Sequence, residues 1–166
     1  MIDNLTPILL NIVSTAEEGL STLPAYSVLV PGVQSAWDDC CAGQLALRVR
    51  EIVEKPVVRG AACPAGWTIT CGLELVRCVA TVNDQGEAPN SGQITADGSA
   101  AMLDMQELHQ ALRCTIPKIA GISNLTIERW RPVGPQGGCA GGEWTFNFLW
   151  TGWCGCEEKV DPDDGD

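Results

Sequence analysis

WTITCGLELVRCVA, residues 67–80, decides how this chain folds. Trp67, Ile69, Cys71, Leu73 and Leu75 recur at every second position, with Thr68, Thr70, Gly72 and Glu74 between them. A period of two sends successive side chains to opposite faces of a strand. The stretch therefore predicts a long strand with one apolar face; Cys71 and Cys78 lie inside it and read as small apolar side chains packed in the core. Upstream, LALRVREIVE (45–54) alternates in the same way. Leu45, Leu47 and Val49 lie on one face, and Arg48 and Arg50 on the other. Pro56, Gly60, Pro64 and Gly66 lie between the two runs, as the connection of a hairpin requires.

Outward from this pair the period changes. Leu5, Ile8, Leu9, Ile12, Val13, Ala16 and Leu20 follow helical spacing and predict a helix over 4–20. Asp3 or Asn4 is placed to cap it, and Pro7 falls in its first turn. STLPAYSVLVPG (21–32) reads as an extended loop in which Pro24 and Pro31 bar any helix. Residues 82–93 form a polar loop. A second helix is predicted over 96–113, capped by Thr95 or Asp97, with Ala101, Met105, Leu108 and Leu112 as its stripe and Met102 beside it. Pro117 ends any continuation. NLTIERW (124–130) predicts a third strand, 131–143 a long loop, and 144–151 a fourth strand with Trp144, Phe146, Phe148 and Trp150 on one face. The expected architecture is α+β: two amphipathic helices packed on one side of a mainly antiparallel sheet of about four strands. One domain is expected over 1–153, with an acidic tail over 154–166.

The formal charge of −11 in 166 residues excludes a nucleic-acid clamp, which needs Lys and Arg against phosphate. A surface past which nucleic acid slides without sticking remains compatible with it. The last ten residues, EEKVDPDDGD, hold six acids and one lysine, and read as a solubilising tail. No apolar run approaches the roughly 18 residues of a membrane span. MIDNLTPILLNIVSTA lacks the basic start of a signal peptide, so secretion is not expected, and the Asn4 and Asn124 sequons carry little weight.

Nine cysteines are an odd and high count for such a chain. Cys40 and Cys41 are adjacent, and Cys154 and Cys156 are two apart; neither spacing is that of a structural zinc site. With His109 the single histidine, no metal site and no cofactor is predicted. Cys40, Cys41, Cys63, Cys139, Cys154 and Cys156 fall in predicted loops and are candidates for disulfides, with partners that spacing does not assign. His109 reads as a solvated helix histidine rather than a base. Asp38-Asp39 and Glu157-Glu158 are adjacent acids, whose side chains diverge on a strand. The glycines of 134–142 lack the Lys-Ser/Thr ending of a phosphate loop. No catalytic residue is predicted.

On the aromatic run, Phe146 and Phe148 read as core, while Trp130, Trp144 and Trp150 sit where a core edge or an interface would place them. The 131–143 loop is long for a hairpin connection of about 2–5 residues, and long loops are commonly functional. Trp130, Pro132, Pro135 and Trp144 are therefore candidate inter-subunit contacts.

The segments DDCCAGQLALRVREI, GLELVRCVATVNDQGEAP followed by MLDMQELHQALRC, and WRPVGPQGGCAGGEWTFNFLW together resemble a head–tail connector family of long-tailed phages infecting actinobacteria. The order helix, strand pair, helix, strand pair is similar to that of the tail terminators, and the resemblance covers residues 4–152. It implies a virion protein, assembled in the host cytoplasm, that forms a homohexameric ring on the head-proximal end of the tail tube. The implied partners are the tail tube protein and a head-to-tail stopper or adaptor. DNA crosses the channel without specific binding, no membrane is involved, and no enzyme activity is expected. A head-to-tail stopper or other neck protein is the alternative, and a thiol-dependent enzyme or metal-binding protein the reading from another class.

Overall fold

The alternating run becomes the central strand of a five-stranded sheet in the computed structural model of the chain, which describes residues 4–32, 40–56 and 65–152. In chain order the elements are α1 (Thr6–Glu18), β1 (Tyr26–Pro31), β2 (Gln44–Glu54), β3 (Trp67–Cys78), α2 (Ser91–Gln110), β4 (Ser123–Gln136) and β5 (Cys139–Trp150). The spatial order is β1-β2-β3-β5-β4. The class is α+β, and the sheet is mainly antiparallel as expected, but it has five strands instead of about four and is mixed, because one edge pairing is parallel.

The additional strand is β1, which the sequence suggested was loop. It pairs parallel to β2 from Tyr26↔Gln44 to Pro31↔Val49; the other three pairings are antiparallel. Ser27–Val30 supplies residues suited to a pleated surface. The prolines bracket that stretch, and at a sheet edge the missing N–H is tolerated.

A second correction concerns residues 131–143, which are not a loop. β4 and β5 run on past Trp130↔Trp144 through Arg131↔Glu143 and Pro132↔Gly142 to Gln136↔Cys139. The turn is Gly137-Gly138, with φ of 57° and 81°, the positive values of a two-residue hairpin turn. The glycines that looked like loop residues mark close approach. A Cβ on Gly142 would overlap the Trp130 indole, and one on Gly141 the Leu75 carbonyl oxygen. Pro132 and Pro135 fit because β4 is an edge strand.

α2 begins earlier than predicted, and neither Thr95 nor Asp97 caps it. The Asn90 side chain accepts the Gln93 N–H, and the Gln93 side chain accepts the Asn90 N–H, each at 3.0 Å, which is a reciprocal capping box. Asp97 instead accepts the Ala80 N–H at 2.8 Å, tying the helix to the chain leaving β3. Of the predicted stripe, Leu108 is buried within α2, and Leu112 in the π-helical turn that follows at Ala111–Thr115. Ala101 and Met105 are half-buried and Met102 is exposed. The helix buries apolar surface only near its C-terminal end, and its first half is held by polar contacts such as that of Asp97.

The main core lies between the helices and one face of the sheet, and a smaller cluster of Cys40, Val76 and Cys139 sits apart from it. Ile8, Ile12 and Ala16 of α1 meet Leu108 and Leu112 over Leu45, Leu47, Ile69, Leu73, Phe146 and Phe148. Burial of each large side chain stabilises by roughly 1.5–3 kcal/mol.

Candidate functional site

Trp130 and Trp144 stand opposite one another on the helix side of the β4–β5 hairpin. The Trp144 Nε1–H donates to the Met105 carbonyl of α2 at 2.9 Å, and its ring stacks on His109 with centroids 4.8 Å apart. His109 is thus half-buried in a ring stack rather than solvated. Trp130 lies half-buried over Gly142, while Pro132 and Pro135 are exposed along the β4 edge. The four candidate contact residues therefore share one hairpin, but Trp144 faces inward and fixes α2 to the sheet. A groove of about 480 Å³ opens beside it, between the C-terminal end of α2 and β4, lined by His109, Leu112, Arg113, Leu125, Ile127 and Glu128 among others.

The face of the sheet away from the helices carries a cluster that the sequence did not reveal. Arg48 pairs with Glu74 at 3.0 Å, Arg48 and Arg50 both pair with Glu143, and Arg131 reaches Glu143 at 3.7 Å. Three features of the strands build it. Glu74 and Glu143 are register partners at the middle of β3 and β5. The β2–β3 register shifts between Val49 and Glu51, and this bulge brings Arg50 to Glu143. Gly72 leaves the space, since a Cβ there would overlap the Glu143 carboxylate. Arg48, Glu74 and Glu143 are buried. Burial pulls the Arg48 and Arg50 guanidiniums below their ordinary pKa; the Glu74 carboxylate opposes this at Arg48, while for Arg50 the neighbouring Arg48, Arg131 and Arg129 add to it. The alternation of β2 placed Arg48 and Arg50 on a polar face. The glycine in the middle of β3 was the available sign that something bulky crosses there.

Four cysteines meet at one end of the sheet. Cys40 is joined to Cys139 with Cα atoms 5.8 Å apart, and Cys41 to Cys78 at 4.1 Å. Cys78 was expected to pack as a core residue; it lies at the exposed end of β3 and is cross-linked instead. Cys71 does lie in the core as a free thiol, pushed up to about 12 by burial. Cys114 is an exposed thiol. Cys63, Cys154 and Cys156, the two pairs of adjacent acids and the acidic tail lie outside the described residues. Among the described residues no group of three or more His, Cys, Asp or Glu is placed to hold a metal ion, and no helix is long and apolar enough to cross a membrane.

No protein-family model matches the chain, and no curated protein matches it in sequence.

Proposed function

We propose that this chain is a structural neck protein of a long-tailed phage, a tail terminator. In this role it works as a closed homohexameric ring that caps the head-proximal end of the tail tube and joins it to a head-side stopper or adaptor. DNA passes through the channel, and the protein resides in the virion after assembly in the host cytoplasm. The observation that carries this reading is the order of elements along residues 4–152: helix, strands, helix, then a strand pair around one sheet, over the span of the tail-terminator resemblance. The charge of −11 supports it, because a channel that repels phosphate lets DNA slide. The prolines exposed along β4 support a role for the hairpin in contacts between copies.

A head-to-tail stopper is favoured less by the 20-residue α2, which a small β-rich barrel does not need. A thiol-dependent enzyme is favoured less by Cys71, which burial keeps protonated, and by the packing of His109 against Trp144. The deciding experiment is electron microscopy of an assembled particle with this chain tagged. A six-fold ring of it directly on the tail tube is the expected result. Density on the portal side of the neck, or a ring of another symmetry, rejects the assignment.

A further inference from the structure

We infer that the two disulfides form a two-stage thiol relay. The exposed Cys41–Cys78 bond exchanges with thiols in solution, and the buried Cys40–Cys139 bond opens and closes through it, by way of a cross-strand Cys78–Cys139 disulfide. This inference concerns the sulfur chemistry of the folded chain and does not depend on the phage reading.

Two neighbour relations bring the four sulfurs together. Cys40 and Cys41 are consecutive in the short 3-10 turn Cys40–Ala42. Their partners, Cys139 and Cys78, stand opposite one another where the β3–β5 ladder ends. The Val79 N–H donates to the Gly138 carbonyl at 2.8 Å, so Cys78 and Cys139 are a non-hydrogen-bonded pair. Such pairs hold their side chains on one face, with Cα atoms roughly 4.5 Å apart. The existing bridges span 5.8 and 4.1 Å between Cα atoms, so a Cys78–Cys139 bridge needs no longer reach.

The two bonds differ in access. Cys41 and Cys78 are exposed. Cys40 and Cys139 are buried, at 5 % and 9 %, and pack with Val76 and half-buried Val133. Exchange requires a thiolate to reach a disulfide sulfur. A thiol in solution reaches the outer bond directly, but the inner bond only when this end of the sheet opens. The Cys78 sulfur already stands beside the inner bond, as the register partner of Cys139.

The steps balance. An external thiolate attacks the Cys41 Sγ, and the Cys78 sulfur leaves as a thiolate. The Cys78 Sγ then attacks the Cys139 Sγ, and Cys40 leaves and takes a proton from water. A second external thiol frees Cys41 from its mixed disulfide, and two more reduce the Cys78–Cys139 bond. In total two protein disulfides and four small thiols become four protein thiols and two small disulfides. A small-molecule disulfide drives the same steps in reverse. The relay also acts on the sheet edge. The Ala25 N–H donates to the Ala42 and Gly43 carbonyls at 2.9 and 3.0 Å, so the chain entering β1 hangs on the segment that the bridges hold. The redox state of the surroundings thereby sets how firmly β1 is kept.

The test is reduction of the folded full chain by glutathione, quenched with iodoacetamide and read by peptide mass spectrometry. The Cys41–Cys78 bond should open first, a transient Cys78–Cys139 peptide should follow, and Cys40 should become alkylated as that species forms. Cys41→Ser and the double variant Cys41→Ser/Cys78→Ser both lack the outer bond and differ in one sulfur, so any purely structural effect of that bond cancels between them. Thermal melts verify that both remain folded. Alkylation of Cys40 should be roughly tenfold or more slower in the double variant, where the inner bond must wait for local opening. Equal rates in the two variants overturn the relay. So does native chain that loses its inner bond with no Cys78–Cys139 species trapped, a measurement that decides the matter even where a variant does not fold.

Discussion

Trp144 of β5 and Met105 of α2 are joined through the indole N–H and a helix carbonyl at 2.9 Å. This bond sits where α2 meets the sheet, next to the single residue that α2 buries. Trp144→Phe keeps an aromatic ring against His109 and removes the donor. A loss of about 1 kcal/mol is expected, the net worth of a typical hydrogen bond. Denaturant unfolding measures it. Hydrogen exchange should show faster exchange at the C-terminal end of α2 with α1 unchanged, and equal change in both helices would argue against a local anchor.

Gly72 is the residue that lets the carboxylate of Glu143 lie flat across β3. Gly72→Ala should push that carboxylate away from Arg48 and Arg50. A buried ion pair that loses one partner leaves uncompensated charge, at a cost of about 3–5 kcal/mol, and partial displacement should approach the lower figure. Gly98→Ala, in open space on α2, is the control and should be neutral or slightly stabilising. Similar melting temperatures for the two variants would refute the role given to Gly72.

The two disulfides close loops of different length, with separations of 99 and 37 residues. In the chain-entropy account the longer loop is worth about 4.7 kcal/mol and the shorter roughly 3.8. Cys139→Ser should therefore destabilise more than Cys78→Ser under oxidising conditions. Under reducing conditions the parent chain should fall toward the level of the variants. Mass spectrometry of the unreduced digest gives an independent check, since pairings other than 40–139 and 41–78 contradict the arrangement.

Cys71 links stability to alkaline pH. Its thiol is raised by burial from 9.0 to about 12, so the unfolded chain loses this proton first as pH rises. The native state then binds more protons than the unfolded one between these values, and stability must fall with pH across that window. The stabilisation is complete below about pH 9 and is lost by about pH 12. Cys71→Ala should flatten this part of the pH profile. At pH 9 iodoacetamide should label exposed Cys114 well before Cys71 in the folded protein.

Much of the framework was legible in the residues alone, because local periodicity follows from geometry. The alternation at 45–54 and 67–80 placed β2 and β3 nearly to their ends, and the spacing of Leu5 to Leu20 placed α1, since a half-buried element must repeat its apolar residues at its own period. Phe146 and Phe148 were assigned to the core for the same reason, and they are buried there. What the residues could not disclose were decisions made between distant segments. β1 is a strand because β2 offers it an edge, and β4 continues through Pro132 and Pro135 because it is an edge itself. The glycines at 141 and 142 read as loop until Leu75 and Trp130 are seen lying against them. The pairing of Glu143 with Arg48 and Arg50, and of Cys41 with Cys78, joins residues 37 to 95 positions apart in the chain. Charge, periodicity and helix spacing are local properties that a sequence carries in itself. Sheet order, register and the meeting of buried charges depend on which strands become neighbours, and only the folded chain decides that.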